Sequence, residues 1–169
     1  FYENEYDNAE NLLDDISDLF FVIEPNSNRE YTVNRSYPFD KWQTIVNAIH
    51  KEVEVVQVGI HADRVLDNVT SLVGKTTFRE AACLIGYSEL MIGAEGGLIH
   101  ASTAVETKAL SIVTGYEDPK LWNYPQNINV YIGTHGPCGW KIPCDECKAD
   151  AENHDENEII NLIMKEIER

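Results

Sequence analysis

Short apolar runs alternate with amphipathic stretches along most of the chain. The runs are typical of buried strands, and the stretches between them, with apolar residues every three or four positions, are typical of helices. The pattern predicts strands at 19–24, 53–59, near 69–73, 89–93, 109–115 and 129–133, and helices at 39–51, 77–88, 96–107 and 158–167. For the second of these helices, Thr76 or Thr77 is the expected N-cap, and Glu80 would complete a capping box.

This alternation predicts an α/β fold class. Strands separated by helices form right-handed βαβ units, and successive units build a doubly wound, Rossmann-like parallel sheet with helices on both faces. In such folds ligands bind beyond the carboxyl ends of the strands. We therefore expect functional residues in the loops that follow the strands.

Residues 1–18 differ from the rest of the chain. They hold seven acidic residues and no basic one, with three aliphatic residues at helical spacing. The pattern predicts an acidic lead-in helix, whose charged side is most simply a solvated face. We expect a single domain over 19–169, which includes a cysteine-rich loop at 135–147 and the C-terminal helix.

Length and charge limit the classes of function. The 169 residues allow one compact domain. The formal net charge of −16 argues against nucleic acid or an anionic membrane surface as a partner, because proteins that bind them carry basic residues that neutralise phosphates. No apolar run is long enough for a membrane span. Neither a P-loop nor a Gly-x-Gly-x-x-Gly dinucleotide fingerprint is present, which argues against ATP hydrolysis and against a dehydrogenase.

The segment Gly93–Ala104 follows a predicted strand and opens a predicted helix. Gly96 and Gly97 would allow a tight turn and leave backbone N–H groups uncovered at the helix N-terminus, where a diphosphate could bind. His100, one turn further on, could add a hydrogen bond or a partial positive charge. The alternative is that the glycines only ease the turn and that His100 is packed in the fold.

Glu95 directly precedes this turn. A carboxylate beside a bound phosphate is repulsive unless it accepts hydrogen bonds from sugar hydroxyls or from local N–H groups. Otherwise Glu95 is a cap-like carboxylate that the helix dipole favours. Both roles stay open on the sequence alone.

Three of the four cysteines cluster towards the C-terminus. Cys144 and Cys147 have the CxxC spacing of metal ligands. Cys138 could add a third thiolate, and His135 or His154 a fourth ligand, in a structural zinc site. Disulfide-forming or redox-labile thiols, and thiols without any ligand, are alternatives that the sequence leaves open.

The segments 77–104 and 109–119 resemble the C-terminal, nucleotide-sugar-binding half of the heptosyltransferase-like glycosyltransferases of family 9. In that family a strand leads to Gly-x-Asp-Ser/Thr-Gly-x-x-His, and the next strand ends in Gly-Pro-Thr-Asp-Pro. The chain reads Gly93-Ala94-Glu95-Gly96-Gly97-Leu98-Ile99-His100 and then Gly115-Tyr116-Glu117-Asp118-Pro119, in the same order and with similar spacing. The likeness extends over about residues 19–132.

The resemblance implies how a diphosphate would be held. Arg35, just ahead of a Tyr-Pro pair, stands at the position of the family's phosphate-contacting lysine, and its guanidinium could bind phosphate bidentately. Gly96 and Gly97 would contribute backbone N–H groups. His100 would contribute charge to the same group.

The resemblance also implies contacts to the rest of a nucleotide sugar. Thr76 or Thr77 would lie near the nucleoside, and so would Asp63 or His61. Glu95 would contact the donor sugar or the ribose. Together with Arg35 and the residues of the glycine turn, these positions form the predicted substrate-binding set.

A wider expectation follows from the same resemblance. The family consists of inverting enzymes with two lobes (the GT-B architecture) that act in lipopolysaccharide biosynthesis, displacing a nucleotide-diphospho-sugar donor at its anomeric carbon without a required metal or other cofactor. The acceptor and the catalytic base belong to the N-terminal lobe, so these residues alone should bind the donor without transferring sugar. The implied location is the cytoplasm, either free or at the cytoplasmic face of the inner membrane.

Two other classes of function stay open. Glu95 stands where the family has Asp, and Gly96 where it has Ser or Thr, which removes a hydroxyl that would bond a phosphate oxygen. A non-catalytic nucleotide or sugar-nucleotide binding module, or pseudoenzyme, would tolerate both changes. The remaining class is a metal- or redox-active scaffold centred on Cys138, Cys144 and Cys147.

Overall fold

The computed structural model describes residues 2–26, 31–60, 64–122 and 124–169, without the side chains of Pro119 and Trp122. Its strands are β1 (Phe20–Glu24), β2 (Glu54–Gln57), β3 (Thr70–Ser71), β4 (Leu90–Ala94), β5 (Ala109–Val113) and β6 (Ile128–Tyr131). Its helices are α1 (Glu3–Asn11), α2 (Phe39–Ile49), α3 (Phe78–Tyr87), α4 (Gly97–Ala104), α5 (Pro119–Trp122), α6 (Asp145–Asn153) and α7 (Asn157–Ile167). A short 3-10 helix, Val33–Arg35, lies between β1 and α2.

The strands form one parallel sheet with the order β3-β2-β1-β4-β5-β6. The chain starts in the centre at β1, runs outward through β2 and β3, and then crosses to the other side of β1 to form the remaining strands. This order confirms the predicted doubly wound, Rossmann-like fold. The direction of winding reverses between β1 and β4. In folds of this class, ligands bind in the crevice beyond the carboxyl ends of the strands at such a switch point.

Helices cover both faces of the sheet. Along β1, Phe21 and Ile23 belong to the core that contains α2 and α7, whereas Phe20 and Val22 belong to the core on the α1 and α3 side. Strands β4 and β5 are buried along their whole length. Burial on both faces explains why these strands read as continuous apolar runs instead of alternating ones.

The regular elements follow the predicted pattern with small shifts at their ends. Helix α2 begins directly after Pro38 and ends at Ile49, just short of its predicted end. The hydroxyl of Thr77 accepts the N–H of Glu80 at 3.2 Å, and the Glu80 carboxylate accepts the N–H of Thr77 at 2.8 Å. The predicted capping box is therefore confirmed, with Thr77 as the N-cap.

The apolar pattern does not predict the 3-10 helix, α5 or α6. Helix α5 has only four residues. Helix α6 has the largely polar sequence DECKADAEN, in which Cys147 and Ala151 are the buried residues. Such elements are too short or too polar to produce an apolar stripe. None of the described helices combines the length and the apolar character that a membrane crossing requires.

Helix α1 is shorter than predicted, because it ends at Asn11. Turns follow it, and they place Leu13 and two neighbouring aliphatic side chains against the core on the α3 side. Glu5 of α1 also accepts a hydrogen bond from Nη2 of Arg79 in α3 at 2.9 Å. The acidic segment is thus packed on the sheet domain and is not only a solvated face. A domain boundary after residue 18 stays a prediction.

Candidate functional site

The carboxyl ends of β1, β4 and β5 bring three charged side chains together. Arg35, from the 3-10 helix after β1, lies between Glu95, which follows β4, and Glu117, which follows β5. Its Nη2 donates a hydrogen bond to Oε1 of Glu117 at 2.8 Å. Its Nε lies 3.0 Å from Oε2 of Glu95. Arg35 and Glu95 are therefore neighbours at the switch point of the sheet.

Glu95 is the most buried of the three, with 6% of its side chain exposed. Burial raises the pKa of Glu95, and the positive charge of Arg35 offsets this effect only in part. The contact with Arg35 involves Oε2 of Glu95. Among the described residues, the buried Oε1 of Glu95 and Nε of Arg35 have no hydrogen-bond partner. A buried carboxylate oxygen without a donor is costly, and this one is suited to accept a hydrogen bond from a ligand.

Two tyrosine rings complete the surroundings of Arg35. Its guanidinium carbon lies 4.8 Å from the ring centre of Tyr116 and 5.0 Å from that of Tyr31. The Tyr116 hydroxyl is 3.4 Å from the Tyr31 hydroxyl. Cation–π attraction of this kind restricts where the guanidinium can point.

The N-terminus of α4 lies directly after Glu95. Gly96 is the N-cap, and within the described part of the chain no side chain caps this helix. Gly96 has an extended backbone with φ 171°, which any residue can adopt. Gly97 is limited by space, because a Cβ there would lie 3.2 Å from the ring of Phe78. A side chain at 97 would therefore push the ring of Phe78 aside, while a glycine at 96 leaves the first N–H groups of α4 without a side-chain cap.

His100 lies in the first turns of α4. Its Nδ1 is 2.8 Å from the hydroxyl of Tyr124. Burial, and secondly the charge of Arg35, lower the pKa of His100. The neutral imidazole is thus favoured at neutral pH.

Thr76 and Thr77 lie at the start of α3. The capping box occupies the hydroxyl of Thr77, and Thr76 is half-buried directly before it. The next residue, Phe78, is 58% exposed and borders Gly97. An aromatic face that the sequence does not single out therefore stands beside the glycine turn.

Asp63, with His61 as its alternative, lies outside the described residues. The chain is described again from Arg64, and the buried Gln57 of β2 holds this part of the loop. Its Nε2 donates to the carbonyl of Arg64 at 2.9 Å, and its Oε1 accepts the N–H of Leu66 at 2.8 Å. The far end of the loop after β2 is thus anchored to the sheet.

Tyr116 and Glu117, which touch Arg35, belong to the motif at 115–119 but not to the predicted substrate-binding set. They directly follow β5, whose carboxyl end borders the crevice, and this position is the signal that could have found them. The next residue, Asp118, has a structural role: its Oδ1 accepts the N–H of Lys120 at 2.9 Å at the start of α5.

Glu24 is another residue at the switch point that lies outside the predicted substrate-binding set. It ends β1, in register with Gly93 of β4, and its Oε1 accepts the N–H of Asn26 at 2.9 Å. Burial raises the pKa of Glu24 to about 8. An acid that ends an otherwise apolar strand at the switch point is the signal that could have identified it.

A second group of side chains lies beyond β6, around the loop at 138–144, which we call the cysteine loop. The group consists of His135, Cys138, Cys144 and Cys147. Each of these residues offers one potential ligand atom, and the four atoms lie within 4.8 Å of one another. The sulfur of Cys147 lies 3.3 Å from that of Cys138 and 3.5 Å from Nε2 of His135. All three thiols are free. His154 instead lies 3.0 Å from the Tyr37 hydroxyl, so His135 is the histidine of this cluster.

Hydrogen bonds orient His135 towards the thiols. Its Nδ1 lies 2.8 Å from Oδ2 of Asp150, which leaves Nε2 for the cluster. Asp150 also accepts the N–H of Thr134 at 3.0 Å and its hydroxyl at 2.6 Å. The imidazole packs so closely on Gly115 that a Cβ there would lie 2.5 Å from Cε1. A carboxylate that fixes a histidine in this way is typical of metal sites.

The thiols of the cluster differ in acidity. Backbone N–H groups at the start of α6, first that of Cys147, lower the pKa of the Cys144 thiol. Burial raises the pKa of the Cys147 thiol. Because thiolates are the metal-binding form, a cation that binds here would release protons from the buried thiols.

The sequence places the chain in a known family. The model of glycosyltransferase family 9 (heptosyltransferase) matches residues 2–142. This match covers most of the chain, and the chain belongs to that family. Cys144 and Cys147 lie beyond the matched residues. No curated protein is detectably similar to the chain in sequence.

Several solved structures share the fold at low sequence identity. The family 9 glycosyltransferase of Veillonella parvula has a TM-score of 0.72 at 11% identity, over 99% of this chain and 52% of its own. The E. coli ADP-heptose LPS heptosyltransferase II has a TM-score of 0.70 at 14% identity, over 99% of this chain and 52% of its own. The iron-containing dodecameric glycosyltransferase TibC of enterotoxigenic E. coli has a TM-score of 0.71 at 14% identity, over 91% of this chain and 47% of its own. The chain spans about half the length of these proteins.

The raised pKa of Glu24 predicts a pH-dependent stability. In the unfolded chain Glu24 ionises near pH 4.5, whereas in the folded protein it stays protonated up to about pH 8. Its contribution to stability is therefore complete below pH 4.5 and is lost as the pH rises through 8. Glu24→Gln mimics the neutral acid and should raise the free energy of unfolding progressively over this range, by about 4 kcal/mol at pH 8.

Denaturant unfolding of both proteins between pH 4.5 and 8.5 measures this difference. Glu168→Gln, at an exposed position of the last turn, is the control and should leave the pH profile unchanged. A stability difference between Glu24→Gln and the parent that does not vary with pH would contradict a buried, neutral Glu24.

Proposed function

We propose that this chain is the donor-binding lobe of a family 9 glycosyltransferase and that the crevice at the switch point binds the diphosphate of a nucleotide sugar. The observation that carries the proposal is the meeting of Arg35, the buried Glu95 and the uncapped N-terminus of α4. Family membership supports the substrate class. Among the structural neighbours, TibC is known in complex with ADP-heptose and the heptosyltransferase WaaC with ADP, so ADP is the first nucleotide to test.

An anion can be held here although the protein is strongly acidic. The first N–H groups of α4 concentrate partial positive charge, and Arg35 adds a guanidinium with several donors. Both carboxylates beside Arg35 oppose the anion. Glu117, at 20% exposure, is the more accessible of the two, and we expect it to give up its contact to a phosphate oxygen.

The other groups of the crevice have complementary roles. Oε1 of Glu95 would accept a hydrogen bond from a hydroxyl of the sugar or the ribose. His100 would give a hydrogen bond as a neutral imidazole. During transfer, the N–H groups and Arg35 would stabilise the leaving diphosphate, while the acceptor and base would come from the other lobe that the family resemblance implies.

Removal of the guanidinium should weaken nucleotide binding. We expect Arg35→Ala to reduce ADP affinity about 10- to 100-fold, since charge-assisted hydrogen bonds contribute about 1.5–3 kcal/mol. Titration calorimetry with ADP, GDP and UDP measures the effect and also ranks the bases. Arg169→Ala, at an exposed arginine of the C-terminus, is the control and should bind as the parent does. Unchanged affinity in Arg35→Ala would contradict the proposal.

A negative charge at the glycine turn should abolish binding. In Gly97→Asp the added Cβ crowds Phe78, and the carboxylate would stand where the diphosphate is proposed to bind. We expect at least about a 100-fold loss of ADP affinity. Gly86→Asp adds the same charge at an exposed position of α3, where a Cβ makes ordinary contacts, and should bind normally. Parent-like binding by both variants would place the nucleotide elsewhere.

We also propose that the four-residue cluster around the cysteine loop is a structural metal centre. In a tetrahedral site with metal–sulfur bonds of about 2.3 Å, the sulfur atoms lie roughly 3.8 Å apart. The separations of 3.3 Å and 3.5 Å around Cys147 need only small shifts to reach this geometry. Three thiolates and an imidazole favour zinc or iron. TibC is described as iron-containing, which supports the inclusion of iron.

A closed set of four protein ligands leaves no open position for substrate. The metal would therefore hold the cysteine loop and α6 to the end of β6, and would take no part in sugar transfer. Asp150 would keep His135 in the tautomer that presents Nε2.

The purified chain should contain about one zinc or iron ion. Elemental analysis measures the content, and visible absorption distinguishes iron from zinc, which is colourless. Cys147→Ser should lose the metal, and Gly115→Ala should bind it at least about tenfold more weakly, because the new methyl group displaces His135. Cys83→Ala, on the buried face of α3, is the control and should keep the metal. A parent protein without metal after expression in zinc- and iron-supplemented medium would contradict the centre.

A further inference from the structure

Asn34, the residue before Arg35, connects the two sites. Its side chain is buried, with 5% exposed. Nδ2 donates to the carbonyls of Trp140 at 2.7 Å and Ile142 at 2.8 Å, and Oδ1 accepts the N–H of Cys144 at 2.9 Å. A buried amide that uses its polar atoms in this way cannot move without leaving several of them unpaired. The side chain of Asn34 is therefore tied to the conformation of the cysteine loop, while its backbone N–H and carbonyl are held by the hydroxyls of Thr32 and Thr114.

The cysteine loop has little packing of its own. It contains no helix or strand, and Trp140 and Ile142 are 55% and 67% exposed. Two backbone hydrogen bonds join its start to the loop after β5. Segments with so few buried contacts open easily unless something else holds them. Cys138 and Cys144 stand at its two ends, so a metal bound to both would fix the whole loop.

Tyr116 provides a second connection. Its ring is buried and packs with Cys138, Cys144 and Cys147. The centre of the same ring lies 4.8 Å from the guanidinium carbon of Arg35. Any rearrangement of the thiols would move the surface on which the guanidinium rests.

We infer that the metal centre positions Arg35, so that a metal ion bound to the four-residue cluster increases the affinity of the crevice for a diphosphate. The inference rests on the proposed function of both sites. Asn34 is a positioning residue that passes the conformation of the cysteine loop to its neighbour. The coupling is reciprocal, because a diphosphate that binds better to the metal-loaded protein must strengthen metal binding by the same factor.

The first test compares ADP binding by the full 169-residue chain with its metal and after removal of the metal by a chelator. Circular dichroism checks that the stripped chain stays folded. We expect ADP to bind about tenfold more weakly to the stripped chain, which is the lower end of the loss expected for Arg35→Ala. In the reverse direction, ADP should raise the chelator concentration needed to remove half of the metal by a similar factor. Equal ADP affinity with and without metal would overturn the inference.

The second test leaves the metal bound and removes the hydrogen bonds that the Asn34 side chain makes with the cysteine loop. Asn34→Ala should retain about one metal ion per chain and still bind ADP about tenfold more weakly. Asn157→Ala, at an exposed asparagine of α7, is the control and should match the parent. Because this variant does not depend on a stripped protein, unfolding after chelation cannot obscure the result. Parent-like ADP affinity in metal-loaded Asn34→Ala would overturn the positioning role.

A third measurement separates this inference from the donor-site proposal. The Nε–Hε signal of Arg35 in nitrogen-15 NMR spectra reports its surroundings without any nucleotide. We expect this signal to shift on metal removal and in Asn34→Ala, and to stay in place in the Asn157→Ala control. If it shifts while no nucleotide binds, the donor-site proposal fails and the positioning contact stands. If it does not shift, the positioning role fails even where ADP binds.

Discussion

The half-buried ion pair between Arg35 and Glu95 is the interaction on which the carboxyl edge of the sheet depends. A charge with only 17% of its side chain exposed is stable when it is paired and supported, and costly when it is not. Its partners come from distant parts of the sequence: Glu95 follows β4, and Tyr116 and Glu117 follow β5. They come within reach because β4 and β5 lie next to β1, in that order, on one side of the sheet. The strand order thus explains why Arg35, Glu95 and Glu117 come close enough to form ion pairs.

This arrangement also bears on how a chain with a net charge of −16 could bind the proposed diphosphate. The positive potential is local, since it arises from one guanidinium and one helix end, and it is masked by two carboxylates until a ligand competes for them. The carboxylate of Glu95 reaches the guanidinium at 3.0 Å. Gly96 has no side chain, and the amides at the N-terminus of α4 have no side-chain cap among the described residues. The proposed site therefore relies on main-chain donors and on Arg35 more than on side-chain hydroxyls.

The loop after β5 shows how one short segment serves two sites. Gly115 leaves room for the imidazole of His135, Tyr116 separates the thiols from the guanidinium, and Glu117 pairs with Arg35. A loop that packs on both sides has few alternative conformations. We therefore expect a change at the cysteine cluster to alter the position of Arg35 in the crevice. The coupling needs no movement of the sheet, because every contact involved lies in the loops beyond its carboxyl edge.

The alternation of apolar runs and amphipathic stretches by itself determined the parallel α/β fold, because burial on two faces of a sheet and on one face of a helix leaves a local, periodic record in the sequence. The capping box of Thr77 was equally readable, since its partner lies three residues away. Other features of the structure leave no local pattern in the sequence. Some of these features depend on contacts between residues far apart in the chain: the end of α1, the choice of His135 over His154, and the contact of Arg35 with Glu117. The raised pKa of Glu24 depends on how deeply that side chain is buried. Only the tertiary structure decided these, because proximity and burial are set by the packing of the whole sheet and not by neighbours in the sequence.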